Sequence, residues 1–317
     1  MDKVPVVAIV LPCYNEEFAL PKTTKFLLQL LDKMVAEKLV ATTSYILCTD
    51  DGSTDGTWNM ISQLHLHDRR IKGISLSHNK GHQYALLAGL MQALDNCDAA
   101  ISIDADMQDN PNAIIQMVKE FLSGKEIVYG VRSSRATDTW FKRTTAHAFY
   151  KLQNLMGLET IYDHADYRLM SNRALHLLSE YGEANLFLRG IIPQIGLDSA
   201  TVTYERCERI AGKSKYSFRK MLSFSIDGIT SFSAKPMRVI FVIGLILLLI
   251  DFVVAMYVLT SYFSHNTISG WTSLMLSVWF LGSLILMGMG IIGEYIGKIF
   301  IEVKRRPRYS IKEKLLD

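Results

Sequence analysis

Short apolar runs alternate with longer segments of helical spacing from residue 6 to about residue 230, the pattern of an α/β domain built on a mainly parallel sheet. Residues 6–10 form an unbroken apolar run, as a strand buried on both faces requires. The spacing predicts a helix over 18–38, a second strand over 44–48, a helix over 56–66 and a third strand over 71–76. A helix over 82–94, a fourth strand over 99–103 and a further strand over 127–131 follow. The second and fourth strands break at Asp50-Asp51-Gly52-Ser53 and at Asp104-Ala105-Asp106. Ligands of open parallel sheets bind beyond the carboxyl ends of the strands, so these acidic loops are expected to share one crevice.

The pattern changes past Lys213. Residues 217–235 mix basic and aromatic side chains with a helical apolar stripe, as in a helix lying on a membrane surface. Segments 237–263 and 271–296 are each long enough to cross a hydrocarbon core of about 30 Å, which takes roughly 20 residues. The turn between them carries no Lys or Arg, whereas Lys235 and Arg238 precede the first span and Lys298, Lys304, Arg305, Arg306 and Arg308 follow the second. That bias predicts two transmembrane helices with both termini in the cytoplasm. The expected organisation is a catalytic domain over 1–212, an interfacial segment over 213–236, spans over 237–263 and 271–297 joined by an extracytoplasmic turn over 264–270, and a basic tail over 298–317. Asp251, inside the first span, is expected to face protein or to be protonated, with a subunit contact favoured over a proton relay. Gly288-Met289-Gly290-Ile291-Ile292-Gly293 has the spacing of a dinucleotide fingerprint but no preceding strand, so close helix packing explains it better.

Composition sharpens this picture in two places. Hydrophobic residues make up 49% of the 317 and charged residues 21%, so the apolar excess must be concentrated, and it sits at the C-terminal end. The net charge of +3 is too small and too dispersed for nucleic-acid binding. Cys13, Cys48, Cys97 and Cys207 show neither CxxC spacing nor His partners, which points to reduced thiols rather than disulfides or zinc. No long apolar leader precedes the first strand, so the first domain is expected to stay in the cytoplasm.

Asp104-Ala105-Asp106-Met107-Gln108 places two carboxylates and an amide at the end of a strand, a donor set for a hard divalent cation bridging a diphosphate. A nucleoside diphosphate leaving group needs such neutralisation. Alone, an Asp-x-Asp is also an ordinary polar turn. Here it is accompanied by Pro12-Cys13-Tyr14-Asn15-Glu16-Glu17 and by Asp50-Asp51-Gly52-Ser53-Thr54-Asp55-Gly56 at two other strand ends.

Together with Asp166-Tyr167-Arg168-Leu169-Met170 and Gly293-Glu294-Tyr295-Ile296-Gly297, these motifs resemble glycosyltransferase family 2 over essentially the whole chain. Within it, the polyprenyl-phosphate glycosyltransferases are most similar, above all the bactoprenol glucosyltransferases. The resemblance implies a GT-A type, Rossmann-like nucleotide-sugar domain followed by an interfacial helix and two C-terminal transmembrane helices. It implies inverting transfer of a hexose, glucose from UDP-glucose, onto undecaprenyl or another polyprenyl phosphate at the cytoplasmic face of the bacterial inner membrane. Mg²⁺ or Mn²⁺ is the implied cofactor, and a homo-oligomer such as a tetramer the implied assembly.

Residue by residue, the resemblance implies that Pro12, Tyr14, Glu16 and Asp51 hold base and ribose, and that Asp104, Ala105, Asp106 and Arg132 line the nucleotide sugar. Asp104, Asp106 and Gln108 would hold the metal. Tyr14 could equally be a packing residue, and Asp51 could cap the helix after Gly52, a role that Ser53 or Thr54 suits better. Asp166 matches the family's catalytic acidic residue. A phosphomonoester with a second pKa near 6 is already mostly dianionic at neutral pH, so Asp166 is expected to orient the nucleophile more than to deprotonate it. Arg135, Arg168, Lys213 and Lys215 are candidates for the lipid phosphate, weighed against plain solvated surface charge. His82 and His164 sit beside motifs, where a local hydrogen bond is the simpler reading. A processive polysaccharide synthase would carry an Arg-Trp pair, which is missing here, and a noncatalytic membrane scaffold or flippase partner would not need all three of Asp104, Asp106 and Asp166.

Overall fold

The computed structural model describes residues 4–133, 164–184, 186–205 and 270–317, with scattered helical positions between 237 and 256. Strands β1 (Val7–Cys13), β2 (Tyr45–Asp50), β3 (Ile71–Leu76) and β4 (Ala99–Ser102) alternate with helices α1 (Leu20–Ala36), α2 (Thr57–His67) and α3 (His82–Ala93). They are followed by α4 (Ala113–Leu122), β5 (Ile127–Arg132), β6 (His164–Ser171), α5 (Asn172–Glu180), α6 (Leu188–Gln194), β7 (Ser199–Tyr204), α7 (Trp271–Val303) and β8 (Ile311–Leu315). Every residue of β1, β2 and β4 is buried, which explains why these strands read as continuous apolar runs rather than alternating ones.

All eight strands join one sheet in the order β7-β5-β6-β4-β1-β2-β3-β8. β1 runs parallel to β2 and β4, β2 to β3, and β5 to β7. The expected mainly parallel sheet is in fact mixed, because β6 is antiparallel to both β4 and β5, and β8 is antiparallel to β3. That reversal matters for the site. With Ser102 opposite Arg168, the start of β6 lies beside the C-terminal end of β4, so Asp166 enters the crevice from the opposite chain direction.

The helices are held by their apolar stripes. In α1, Leu20, Thr23, Thr24, Leu27, Leu30, Leu31 and Met34 are buried at helical spacing, and Pro21 occupies the first turn, where a missing N–H costs nothing. Helix α3 lies so close to the sheet that a Cβ on Gly89 would come within 2.4 Å of Val10 Cγ1 and 2.5 Å of Thr49 Oγ1. Each fully buried Ile or Leu side chain in this core contributes about 1.5–3 kcal/mol, and Ile9, Leu11, Ile46 and Leu47 are all of this kind.

The described residues up to 205 and those from 306 onward form one compact unit, and the described residues between 237 and 305 belong to a second. Among the described residues one helix is long and apolar enough to cross a membrane, over Phe280–Val303 within the 33 residues of α7. Most of the first expected span, the turn after it, the interfacial segment and Asp251 lie outside the described residues. In the second unit Gly288 meets Ile240, with 3.6 Å from its would-be Cβ to Ile240 Cγ2, an ordinary packing contact. Helix α7 runs past 297, where the second span was expected to end, and the segment read as a basic tail contains β8. Ile311 and Leu315 are partly buried while Lys312, Glu313 and Lys314 point outward, so the strand hides behind its charges in the sequence. Trp58 Nε1 donates to Glu313 Oε2 at 2.9 Å, and Arg69 Nη1 to the Asp317 carbonyl at 3.1 Å, tying this strand to α2 and its end.

Candidate active site

The loops after β1 and β2 are built as one piece. Asp51 N–H donates to the Cys13 carbonyl at 2.9 Å, Asn15 N–H to Ser53 Oγ at 3.0 Å, and Thr54 N–H to Asn15 Oδ1 at 2.9 Å. Asn15 adopts φ 55°, a left-handed conformation that a short polar side chain tolerates. Glu16 N–H donates to Thr57 Oγ1 at 2.9 Å, and Glu17 Oε2 accepts from Gly56 N–H at 2.8 Å. Pro12 is buried in the pairing with β2, and Tyr14 stands exposed at the loop tip.

Asp51 is buried and does not cap the following helix. Its two oxygens accept the Lys80 and Gly81 N–H groups at 2.7 and 2.8 Å, so it shapes the loop between β3 and α3. Burial pushes its carboxyl up, opposed by those two hydrogen bonds. Gly52, at φ +63°, lets the backbones touch: a Cβ there would lie 2.6 Å from the His78 carbonyl carbon. Asp50 is a brace, accepting from Ser53 N–H at 3.2 Å and from Ser75 Oγ at 2.9 Å. Helix α2 has no side-chain cap from Ser53 or Thr54; Asp55 Oδ1 accepts its first N–H, that of Thr57, at 3.0 Å.

Beyond β4, Ala105 is buried and its carbonyl accepts Thr23 Oγ1 at 2.7 Å, which anchors the acidic loop to α1. Met107 takes φ 58°, and Asp106 Oδ1 accepts Gln108 N–H at 3.1 Å, closing a tight turn between two of the three expected metal ligands. Asp104 Oδ1 lies 3.6 Å from His82 Nε2. Burial lifts the Asp104 carboxyl to about 6; the nearby His82 charge pulls it down, and the charges of Asp166, Asp109 and Asp106 push it further up. No group of three or more His, Cys, Asp or Glu forms a metal cage among the described residues. A cation held by one or two carboxylates that completes its shell with substrate phosphates and water needs no such cage, and the mutual repulsion around Asp104 is what such a cation would relieve. The donor set therefore fits Mg²⁺ or Mn²⁺.

Asp166 is held on both its backbone and its side chain. Its carbonyl accepts Ser102 Oγ at 2.6 Å, fixing β6 to β4. Its Oδ1 accepts Arg168 Nη2 at 2.6 Å and Arg189 Nε at 3.1 Å, and its Oδ2 accepts Arg189 Nη2 at 3.1 Å with His82 Nε2 3.5 Å away. Burial opposes its charge, but Arg189, His82 and Arg168 outweigh that and hold the carboxyl well below the usual range. For His82, burial works against the imidazolium while Asp166 and Asp104 favour it, leaving its pKa up at about 9.

Arg168, expected to face the lipid phosphate, is instead only 1% exposed and serves Asp166, whose own side chain is 11% exposed. Arg189 reaches the same carboxylate with 45% of its side chain exposed. Neither Arg189 nor the bridging role of His82 was legible in the sequence, since nothing local marks a residue 23 positions from Asp166 as its partner.

Arg132 is oriented by a carboxylate the motif reading passed over. Asp109 is buried and its Oδ1 accepts Arg132 Nη2 at 3.1 Å and the Tyr204 hydroxyl at 2.6 Å. Tyr167 donates to the Asn110 carbonyl at 3.1 Å and meets Tyr204 edge-on at 5.1 Å, so the end of the acidic loop is locked to β5, β6 and β7. Arg135, Lys213 and Lys215 lie outside the described residues.

The family model of Glycosyl transferase family 2 matches residues 8–192, from β1 into α6. The chain belongs to that family. As a family 2 glycosyltransferase it is an enzyme with a GT-A-like mixed sheet, and the matched stretch contains Asp51, Asp104, Asp106, Asp109, Asp166, Arg132, Arg168 and Arg189, while β7, α7 and β8 lie beyond it. Among its relatives is an uncharacterized glycosyltransferase of Bacillus subtilis (strain 168), 52% identical and covering 97% of this chain and 91% of the relative. Another is the SfII prophage-derived bactoprenol glucosyl transferase of Shigella flexneri, 38% identical and covering 97% of each chain. Among solved structures, mannosyl-3-phosphoglycerate synthase from Rubrobacter xylanophilus is similar with a TM-score of 0.47 at 16% identity over 72% of this chain and 73% of that one.

Proposed function

We propose that this glycosyltransferase moves glucose from UDP-glucose onto undecaprenyl or another polyprenyl phosphate, with inversion, at the cytoplasmic face of the membrane. The observation that carries the reading is the state of Asp166. Both its oxygens are occupied by guanidinium and imidazole donors, so it is a poor acceptor for a nucleophile's proton. Such a site suits a nucleophile that arrives already ionised, as a phosphomonoester does near neutral pH. The near full-length likeness to a bactoprenol glucosyl transferase supports the same acceptor class.

In this reading a phosphate oxygen attacks the anomeric carbon, the bond from that carbon to the donor's diphosphate breaks, and the products are a glycosyl phosphate lipid and UDP. No proton need be removed and no covalent sugar-enzyme intermediate forms. Asp104, Asp106 and Gln108 hold the divalent cation, which when bound neutralises charge on the departing diphosphate. Asp166 directs Arg189 and His82 toward the anionic centre. Pro12, Tyr14, Glu16 and Asp51 form the base and ribose side, with Asp51 acting through the loop it organises, and Arg132 faces the diphosphate. The helix α7 anchors the chain in the membrane, and Lys304, Arg305, Arg306 and Arg308 mark its cytoplasmic end.

The test is transfer of label. Purified enzyme, undecaprenyl phosphate, Mg²⁺ or Mn²⁺ and a panel of labelled UDP and GDP sugars are expected to place label from UDP-glucose in the lipid phase, and EDTA to abolish it. Absence of label from every donor would overturn the reading in favour of a noncatalytic nucleotide-sugar binder.

A further inference from the structure

Asp166 carries two guanidinium groups that differ in access. Arg168 is enclosed in the core, its Nη1 reaching the Leu188 carbonyl at 3.4 Å, and it cannot leave without stranding a buried charge. Arg189 grips both carboxylate oxygens yet remains half exposed. The Nε and Nη2 edge of its guanidinium is taken by Asp166, and because the group carries five N–H donors its Nη1 and Nη2 edge can at the same time present a second fork to two oxygens of a phosphate.

The position of Arg189 is built in from a distance. Leu188 N–H, at the first residue of α6, donates to Gln83 Oε1 at 2.9 Å, and the Tyr84 hydroxyl donates to the Ala184 carbonyl in the approach to that helix. Gln83 and Tyr84 directly follow His82, which itself touches Asp104 and Asp166. One turn of α3 thus sets both the acidic pair and the arginine opposite it.

Charge balance then narrows the use of Arg189. Asp104, Asp106 and Asp166 are joined in the reacting complex by a diphosphate, and an anionic acceptor must still enter. Among the described residues of the site, Arg132 is held by the buried Asp109 on the β5 and β7 side and faces the donor diphosphate in the reading above, and Arg168 is inaccessible. We propose that Arg189 binds the phosphate group of the acceptor, with Asp166 as its counter-ion and anchor and Gln83 as a positioning residue for α6. The assignment rests on the transfer to polyprenyl phosphate argued above.

Steady-state transfer by the purified full-length enzyme, with undecaprenyl phosphate varied against saturating labelled UDP-glucose and the reverse, tests it, with UDP binding measured by calorimetry alongside. Arg189→Gln is expected to raise the acceptor KM about 10- to 100-fold, the effect of losing a charge-assisted contact, and to leave UDP affinity unchanged. Arg189→Lys, which keeps the charge but not the fork, is expected to show a smaller rise. A fall in kcat at unchanged acceptor KM would make Arg189 purely a positioning group and overturn the assignment, as would a rise confined to the donor KM. Should Arg189→Gln fail to bind UDP, the lysine variant decides by the same criterion. A wild-type enzyme that labels no lipid sinks the underlying reaction; a wild-type enzyme that does so while both variants keep its acceptor KM sinks only the role of Arg189.

Discussion

Asp106 and Asp166 sit in one crevice under different physical constraints, and substitutions should separate them. Asp106 is partly exposed and uses Oδ1 to accept Gln108 N–H, which an amide oxygen can also do. Asp106→Asn is therefore expected to keep the melting temperature while transfer falls roughly 100-fold or more, the scale of a lost electrostatic contribution at a reacting centre. Asp166→Ala removes the partner of the buried Arg168 guanidinium, and breaking such a buried pair costs about 3–5 kcal/mol. Activity and thermal stability are both expected to drop, with Asp166→Asn less destabilised because it retains an acceptor for Arg168. Thermal unfolding in detergent beside the label-transfer assay reads both, and an unshifted melting temperature in Asp166→Ala would refute the buried-pair account. The acidic strand ends were legible from residue types alone, and two carboxylates and an amide at one of them are the ground for proposing a cation and a diphosphate there. What Arg168 does was not legible, because a charged side chain in a motif carries no local sign of whether it faces water or core.

At the scale of elements, the first four strands and three helices were readable because each answers one local demand. Strands buried on both faces are apolar throughout, and helices on a sheet repeat their apolar residues every three or four positions. The direction of β6 was not readable, since an apolar run is the same in either direction and only its pairing with β4 and β5 sets the polarity. Helix α3 shows how an element carries chemistry. Its first turn bears His82, Gln83 and Tyr84, and Gly89 allows its close seat on β1 and β2. Gly89→Ala forces a methyl group against Val10 and Thr49, and overpacking of this kind costs about 1–3 kcal/mol. A lowered melting temperature, with transfer reduced because the first turn shifts with the helix, is the expected outcome; unchanged stability would mean that the helix can retreat freely.

For the molecule as a whole, the return of the chain from α7 to the sheet is the feature with the widest reach. Strand β8 covers the open edge of β3, carries lysines on its outer side as protected edge strands do, and brings Glu313 to Trp58. Truncation after residue 308 uncovers that edge. Several hydrogen bonds worth about 1 kcal/mol each are lost with it, so the unit that holds the sheet is expected to unfold at lower temperature and to aggregate more readily, as scattering during a thermal ramp would register. An identical unfolding curve would show that β8 adds nothing to the sheet.

Taken alone, the sequence determined the alternation of strands and helices, the acidic strand ends, the apolar C-terminal segment and the family, because each depends on residues near one another in the chain. The tertiary structure decided the mixed direction of the sheet, the second life of the basic tail as an edge strand, and the partners of Asp166. Those depend on contacts between distant residues, such as Ser102 with Asp166 or Trp58 with Glu313, separated by 64 and 255 positions. Local pattern records which face of an element is buried; only the packed fold determines what is buried against it.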